Sequence, residues 1–299
     1  MNKLHGVIVP VATPLLADES LDREGLRRLI ASLLDAGVHG LFANGSMSGF
    51  ALHPDAMQHE IIVEVCHLAQ GRVPVLAGVS DTSVRRVLDR IRSIQGLPVD
   101  AVVVLPPYYF IYSVSELINF FHSIADHSPF PVVLYENPRL VPSNSISPDV
   151  AATLARHPNI IGLKNSSAED AQWKLLFEEE LPRDRFALIC GAEKRMGDGL
   201  RAGYDGLTGG FHNVFPEVAV SLYNAAAKGD WACVDVLQAK LNRAYGVFEI
   251  AGGWRGLAVA LRRLGIASKT TVRPFDCPLP ADIRAKIEAV LDSEKRRPD

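Results

Sequence analysis

The 299-residue sequence predicts a (β/α)8 barrel followed by a C-terminal helical region. Eight short, β-rich apolar runs alternate with amphipathic segments of helical length over roughly the first 210 residues. The runs are apolar almost throughout, as strands of a parallel sheet covered on both faces are. Beyond about residue 213 only helical periodicity continues. A doubly wound sheet is the competing arrangement, but no G-x-G-x-x-G follows the first run. The expected division is a barrel over 1–215 and a helical region over 216–299 packed on it.

The first strand is expected at 6–11, and the helix at 22–36 has Asp22 as its N-cap and Gly37 as its stop. Strands at 38–43 and 73–79 flank a helix at 54–70 closed by Gly71. A helix at 82–95 starts from Ser83 and ends at Gly96, leading to a strand at 99–105. The helix at 114–127 has Ser113 or Ser115 as its cap, and strands at 131–135 and 159–164 enclose a helix at 147–156. Helices at 168–180 and 193–202, the second stopped by Gly203, alternate with strands at 186–190 and 205–209. Helices at 216–228, 230–248, 254–264 and 281–294 complete the chain, punctuated by Gly229, Gly252-Gly253 and the proline-bearing stretch 274–280. Residues 295–299 read as a frayed tail.

Hydrophobic residues at 48% and charged residues at 22% suit a soluble globular domain with a sizeable core. A net charge of −3 without a basic stripe argues against nucleic acid as the main partner. No apolar run reaches membrane-span length and the N-terminus has no signal-peptide core, so no membrane partner is expected and the cytoplasm is the default compartment. Cys66, Cys190, Cys233 and Cys277 have no C-x-x-C spacing and read as reduced thiols. Glu60 and Glu64 lie between His59 and His67, but like charges four apart look more like a solvated helix face than a metal cage, and no metal is expected.

Barrel active sites collect at the C-terminal ends of the strands. In the segment Asn159 to Ser167, the period of two puts Ile160, Gly162 and Lys164 on one face, with Ile161 and Leu163 on the other. A lysine at the last inward position of an apolar strand sits where water is scarce, which disfavours the ammonium; the neutral amine attacks carbonyls to form a Schiff base. The competing reading is a strand that ends at the surface with its lysine in water. On the neighbouring strand Pro131, Val133 and Tyr135 share a face, so Tyr135 and Lys164 project at the same level and the phenol can move protons. After the second strand, Gly45, Ser46 and Met47 offer backbone N–H groups to a carboxylate, or form an ordinary turn. Thr208-Gly209-Gly210 allows close approach of a ligand to the backbone, or resembles a barrel phosphate site at the eighth strand, or is only a tight turn.

Four motifs in order then carry a family resemblance: Gly6 through Thr13-Pro14, Pro107-Tyr108-Tyr109, Ile160-Ile161-Gly162-Leu163-Lys164, and Gly203 to Gly209 followed by Asn213 to Pro216. From Gly6 to about Pro216 the chain resembles the dihydrodipicolinate synthase / N-acetylneuraminate lyase superfamily of pyruvate-dependent class I aldolases, as a divergent member. The resemblance implies that Lys164 forms an imine with pyruvate or another 2-oxo acid, without cofactor, and that Tyr135 is the proton relay. It implies that Tyr109 supports the relay across a subunit interface and that Ser46, Met47 and Thr208 contact substrate. It also implies a homo-oligomer, a dimer or a homotetramer. The chain departs from the family's G-[ST]-T-G-E with Gly45-Ser46-Met47-Ser48-Gly49, and from its Y-N-x-P with Tyr135-Glu136-Asn137-Pro138. Dihydrodipicolinate synthase has its substrate arginine two residues after that proline; Leu140 stands there, with Arg139 one place early. The expected function is therefore aldol cleavage, condensation or dehydration of a 2-oxo acid rather than dihydrodipicolinate synthesis itself, with Arg139 as a substrate-binding residue. A non-catalytic relative that binds a 2-oxo acid is the alternative, and whether Arg139 or Glu136 lines the pocket is open.

Overall fold

All eight apolar runs form parallel strands in the computed structural model, which describes residues 3–296. They are β1 (Gly6–Pro10), β2 (Gly40–Ala43), β3 (Val75–Gly78), β4 (Ala101–Val104), β5 (Val132–Glu136), β6 (Ile160–Asn165), β7 (Ala187–Cys190) and β8 (Gly206–Leu207). Each pairs with its neighbours in sequence, and β8 pairs with β1 to close the barrel. Between them run α1 (Arg23–Asp35), α2 (Asp55–Ala69), α3 (Val84–Ser93), α4 (Val114–His127), α5 (Pro148–Ala155), α6 (Asp170–Glu178) and α7 (Met196–Ala202). The (β/α)8 barrel with a helical C-terminal part is therefore the fold.

Two apolar layers result from the alternation of side chains along each strand. Ile8, Phe42, Leu76, Val103, Val133 and Ile189 fill the barrel interior. Val7, Val9, Leu41, Val102, Leu134 and Leu188 point outward and pack under the helices. The local signals act as expected at the helix ends: Asp22 accepts from the Gly25 N–H, and Ser83 from the Arg86 N–H. At α4 the cap is Ser113, in a reciprocal capping box with Glu116. Glu60 and Glu64, on α2, both pair with Arg23 at the start of α1.

Three expectations are corrected. The period of two fails at the start of β6, where the register slips: Val132 faces Ile160 but Val133 faces Gly162, leaving Ile161 as a bulge residue. Ile160 thus turns outward with Leu163, while Ile161 packs against the interior layer. Past the bulge, Gly162 pairs with the inward Val133 and Lys164 with the inward Tyr135. The segment 193–202 is not one helix but a 3-10 turn, Glu193–Arg195, followed by α7. Arg195 at φ −136°, ψ 27° breaks it, and the Gly197 N–H is taken by Gln238. The last helix runs to Arg296, further than expected; 297–299, the end of the expected tail, lie outside the described residues, as do Met1 and Asn2.

The remaining helices are α8 (Pro216–Ala227), α9 (Trp231–Ala251), α10 (Trp254–Arg263) and α11 (Ala281–Arg296). The division expected at 215/216 falls just before α8, which packs on β1 and β8 as well as on α9. α9 also packs along α10 and α11 and reaches the turn at Glu193–Arg195, which brings its last turns over the barrel mouth. Among the described residues no helix is long and apolar enough to cross a membrane.

Candidate active site

Lys164 is the next-to-last residue of β6, aligned with Tyr135 on β5 and Ile189 on β7. Only 8% exposed, it ends 3.5 Å from the centre of the Tyr135 ring and 5.3 Å from that of Phe42. Two aromatic faces thus wall the amine from water. Tyr135 is 3% exposed, and its hydroxyl oxygen accepts from Asn137 Nδ2 at 3.0 Å and from Ser46 Oγ at 3.5 Å. Burial works against its phenolate, but the charge of Lys164 and the surrounding hydrogen bonds outweigh it and hold the phenol below the ordinary tyrosine range.

β2 delivers the second wall. Gly45 bends the chain close over the Phe42 ring, where a Cβ would lie 2.7 Å from a ring carbon, and a 3-10 turn (Ser46–Ser48) follows. The turn is braced from two sides. Ser48 Oγ lies 2.6 Å from Thr13 Oγ1, and the buried His53 ring donates through Nε2 to the Ser48 carbonyl at 2.8 Å. Ser46 and Met47 open the turn, so their N–H groups have no acceptor within it and remain available to a carboxylate. The Met47 side chain lies over Gly210, filling the space that a Cβ there would need.

β7 and β8 supply the third wall. Glu193 accepts from the Gly210 N–H at 2.9 Å and the Phe211 N–H at 3.1 Å, which pins the turn after β8. Burial raises its carboxyl above the usual range, opposed by those two donors and by Lys164. Thr208 donates its N–H to the Cys190 carbonyl at 2.8 Å, while its buried hydroxyl has no hydrogen-bond partner among the described residues. A buried hydroxyl left open on the wall of a cavity is suited to a polar ligand atom.

These walls enclose a cavity of about 1020 Å³ whose lining includes Ser46, Met47, Tyr135, Arg139, Lys164 and Thr208. That is the upper end of the range for small-molecule sites, with room for more than a three-carbon acid. Six of the eight residues expected at the site therefore meet in one space. The other two do not: Gly45 packs on Phe42 behind the lining, and Tyr109, 87% exposed at φ 88°, stacks edge-on with Phe110 away from the cavity. The question of Arg139 against Glu136 is decided by strand alternation. Tyr135 points in, so Glu136 points out, where it accepts from Ser145 Oγ and the Ile146 N–H. Arg139 reaches the cavity from the following loop and hydrogen-bonds the Tyr245 hydroxyl.

Sequence reasoning missed Asn137, Glu193, Tyr245 and Arg255, all of which line the same cavity. Asn137 had a signal, the Tyr-x-Asn-Pro pattern that begins at Tyr135. The others come from the turn after β7, the last turns of α9 and the start of α10, and nothing local marks them as neighbours of Lys164.

The sequence model of the dihydrodipicolinate synthetase family matches residues 3–294. A curated 4-hydroxy-tetrahydrodipicolinate synthase from Methanosphaerula palustris is 33% identical over 291 residues, covering 97% of this chain and 99% of that protein. An Escherichia coli K12 protein named "Probable 2-dehydro-3-deoxy-D-pentonate aldolase YjhH" is 26% identical over 297 residues, covering 98% of each. Among solved structures, YagE, a prophage protein of E. coli K12 in complex with pyruvate, superposes with a TM-score of 0.92 at 29% identity, covering 98% of this chain and 99% of that one. Dihydrodipicolinate synthase from Bacteroides thetaiotaomicron follows at 0.91 and 35% identity, covering 98% of this chain and all (100%) of that one.

Proposed function

The chain belongs to the dihydrodipicolinate synthetase family, and from that membership we propose that it is a lyase or aldolase that forms a Schiff base with pyruvate or another 2-oxo acid. The observation that carries the reading is the in-register pair at the barrel mouth, with the Lys164 amine 3.5 Å from the Tyr135 ring centre. The Lys164 amine attacks the C2 ketone, and the carbinolamine loses water to give a protonated imine. That imine is the electron sink, so the cycle needs neither metal nor organic cofactor. In cleavage, a base takes the proton of the C4 hydroxyl, the C3–C4 electrons flow into the imine, and an aldehyde leaves. The resulting enamine is protonated at C3, and water releases pyruvate. Tyr135 is the group suited to these transfers, since its phenol is held below the ordinary range and its oxygen is already hydrogen-bonded by Ser46 and Asn137. The substrate carboxylate fits the open N–H groups of Ser46 and Met47, and the Thr208 hydroxyl fits a further oxygen.

Relatives named both as a 4-hydroxy-tetrahydrodipicolinate synthase and as a sugar-acid aldolase share this framework. Leu140 in place of the synthase arginine favours the aldolase or dehydratase outcome. Incubation with saturating pyruvate and sodium borohydride should leave a reduced adduct on Lys164, located by peptide mass spectrometry. An unmodified Lys164 under those conditions overturns the reading. The same reading extends to a homo-oligomer, since Tyr109, Phe110 and Ile111 form an exposed apolar group that a second copy would cover, a state that sedimentation of the intact protein reads directly.

A further inference from the structure

Around the cavity, Arg and Lys side chains outnumber Glu by five to two, although the whole chain carries a net charge of −3. Most of this local charge is spoken for. Lys194 pairs with Glu249, and Arg195 pairs with Asp170 at 2.6 Å and Asp198 at 3.1 Å. Glu193, the other carboxylate in the lining, is committed to the Gly210 and Phe211 N–H groups. Lys164 is the nucleophile. What remains is a pair of guanidinium groups, Arg139 from the loop after β5 and Arg255 from the start of α10, neither with a carboxylate at ion-pair distance among the described residues. Arg139 is exposed at the cavity and lies by the Tyr245 hydroxyl, and Arg255 is half-buried.

A half-buried guanidinium such as Arg255, held without a counter-charge, is costly unless a ligand supplies one, whereas the exposed Arg139 stays hydrated and adds only attraction. The carboxylate next to the ketone does not: the N–H groups suited to it are those of Ser46 and Met47, on the turn after β2. The rest of the lining is mostly uncharged, with Trp254, Phe275 and Leu140 among its apolar members, as a carbon chain would need. Resting on the imine reading above, we propose that the natural substrate is a 2-oxo acid bearing a second anionic group, a carboxylate or a phosphate. That group lies at the end remote from the ketone, and Arg255, with Arg139, selects it. The C-terminal helices would thereby complete the substrate site, since Arg255 and Tyr245 both come from them.

The test is borohydride trapping at Lys164 as a function of concentration, for pairs of acids that differ only at the far end. 2-Oxoglutarate is set against 2-oxopentanoate, 2-oxoadipate against 2-oxohexanoate, and a 3-deoxy-2-oxo sugar acid with a terminal phosphate against the same acid without it. Taking the ratio of half-saturating concentrations within each enzyme cancels changes in overall trapping efficiency. The wild type should favour the doubly anionic member of at least one pair by about tenfold or more, and whether a carboxylate or the phosphate pair shows it identifies the group. Arg255→Met should bring that ratio to within about twofold of one, and Arg255→Lys should keep part of it. If Arg255→Met does not fold, Arg139→Met reads the same ratio. Ratios near one in every wild-type pair overturn the inference, as does a preference that survives both Met variants. A pyruvate adduct with flat ratios removes only this inference, whereas no adduct with pyruvate removes the imine reading and this with it.

Discussion

The hydroxyl of Tyr135 is where the opposing forces of the site meet. Burial raises the energy of its phenolate, while the charge of Lys164 and donors from Ser46 and Asn137 lower it, and the second set wins. A relay of this kind loses its proton above its pKa, so a depressed phenol moves the alkaline limb of turnover to lower pH than an ordinary tyrosine, near 10, would give. Tyr135→Phe should cut kcat by about 10²–10⁴-fold and remove that limb. Ser46→Ala, which deletes a donor favouring the phenolate, should shift the limb upward. A kcat–pH profile with its limb at the ordinary tyrosine position in the wild type would count against the role. At this scale Lys164 and Tyr135 were legible because each sits at a strand end inside a local pattern. Arg255 was not, because a guanidinium reads as a surface charge until the cavity around it exists.

The bulge in β6 sets the phase of the strand that carries Lys164. Were Ile161 to take a regular ladder position instead of bulging, Tyr135 would face Leu163 and Lys164 would fall opposite Glu136, turned into the layer under the helices. Gly162, next in the strand, is tight: a Cβ there would lie 2.8 Å from the Ala187 carbonyl oxygen of β7, a backbone atom that cannot rotate away. Gly162→Ala should therefore cost about 1–3 kcal/mol in urea unfolding, from overpacking against a fixed neighbour. An unfolding midpoint and slope equal to wild type would show that the strand relieves the contact. Helix positions and caps were legible from local chemistry, Asp22, Ser83 and Ser113 each being followed by an amphipathic segment. The bulge was not, because a run of apolar residues such as Ile160-Ile161-Gly162-Leu163 has no polar partner to mark its phase.

For the molecule as a whole, packing around the barrel mouth has a consequence for stability against pH. His212, in the 3-10 turn after β8, is 1% exposed, with Nε2 3.3 Å from the Met196 sulfur and Nδ1 without a partner among the described residues. Burial pushes its pKa down to about 3 from 6.5. The unfolded chain thus binds a proton that the folded one refuses as pH falls from 6.5 towards 3, so stability is lost over that window and is fully present above it. By pH 5 the loss from this one group is about 2 kcal/mol relative to neutral pH. Denaturant unfolding at pH 7 and pH 5 should show His212→Gln less pH-dependent by roughly that amount. Identical pH dependence in the two proteins would exclude His212 as the cause. Strand count, barrel class, the capped helix starts and the inward strand-end positions of Lys164 and Tyr135 follow from the sequence by itself, since each depends on periodicity and neighbours within a few residues. Only the tertiary structure decided that Glu136 faces away while Arg139 faces in, that Ile161 bulges, and that α9 and α10 bring Tyr245 and Arg255 over the mouth. Those outcomes depend on strand register and on helix packing between segments about a hundred residues apart, and no local pattern records them.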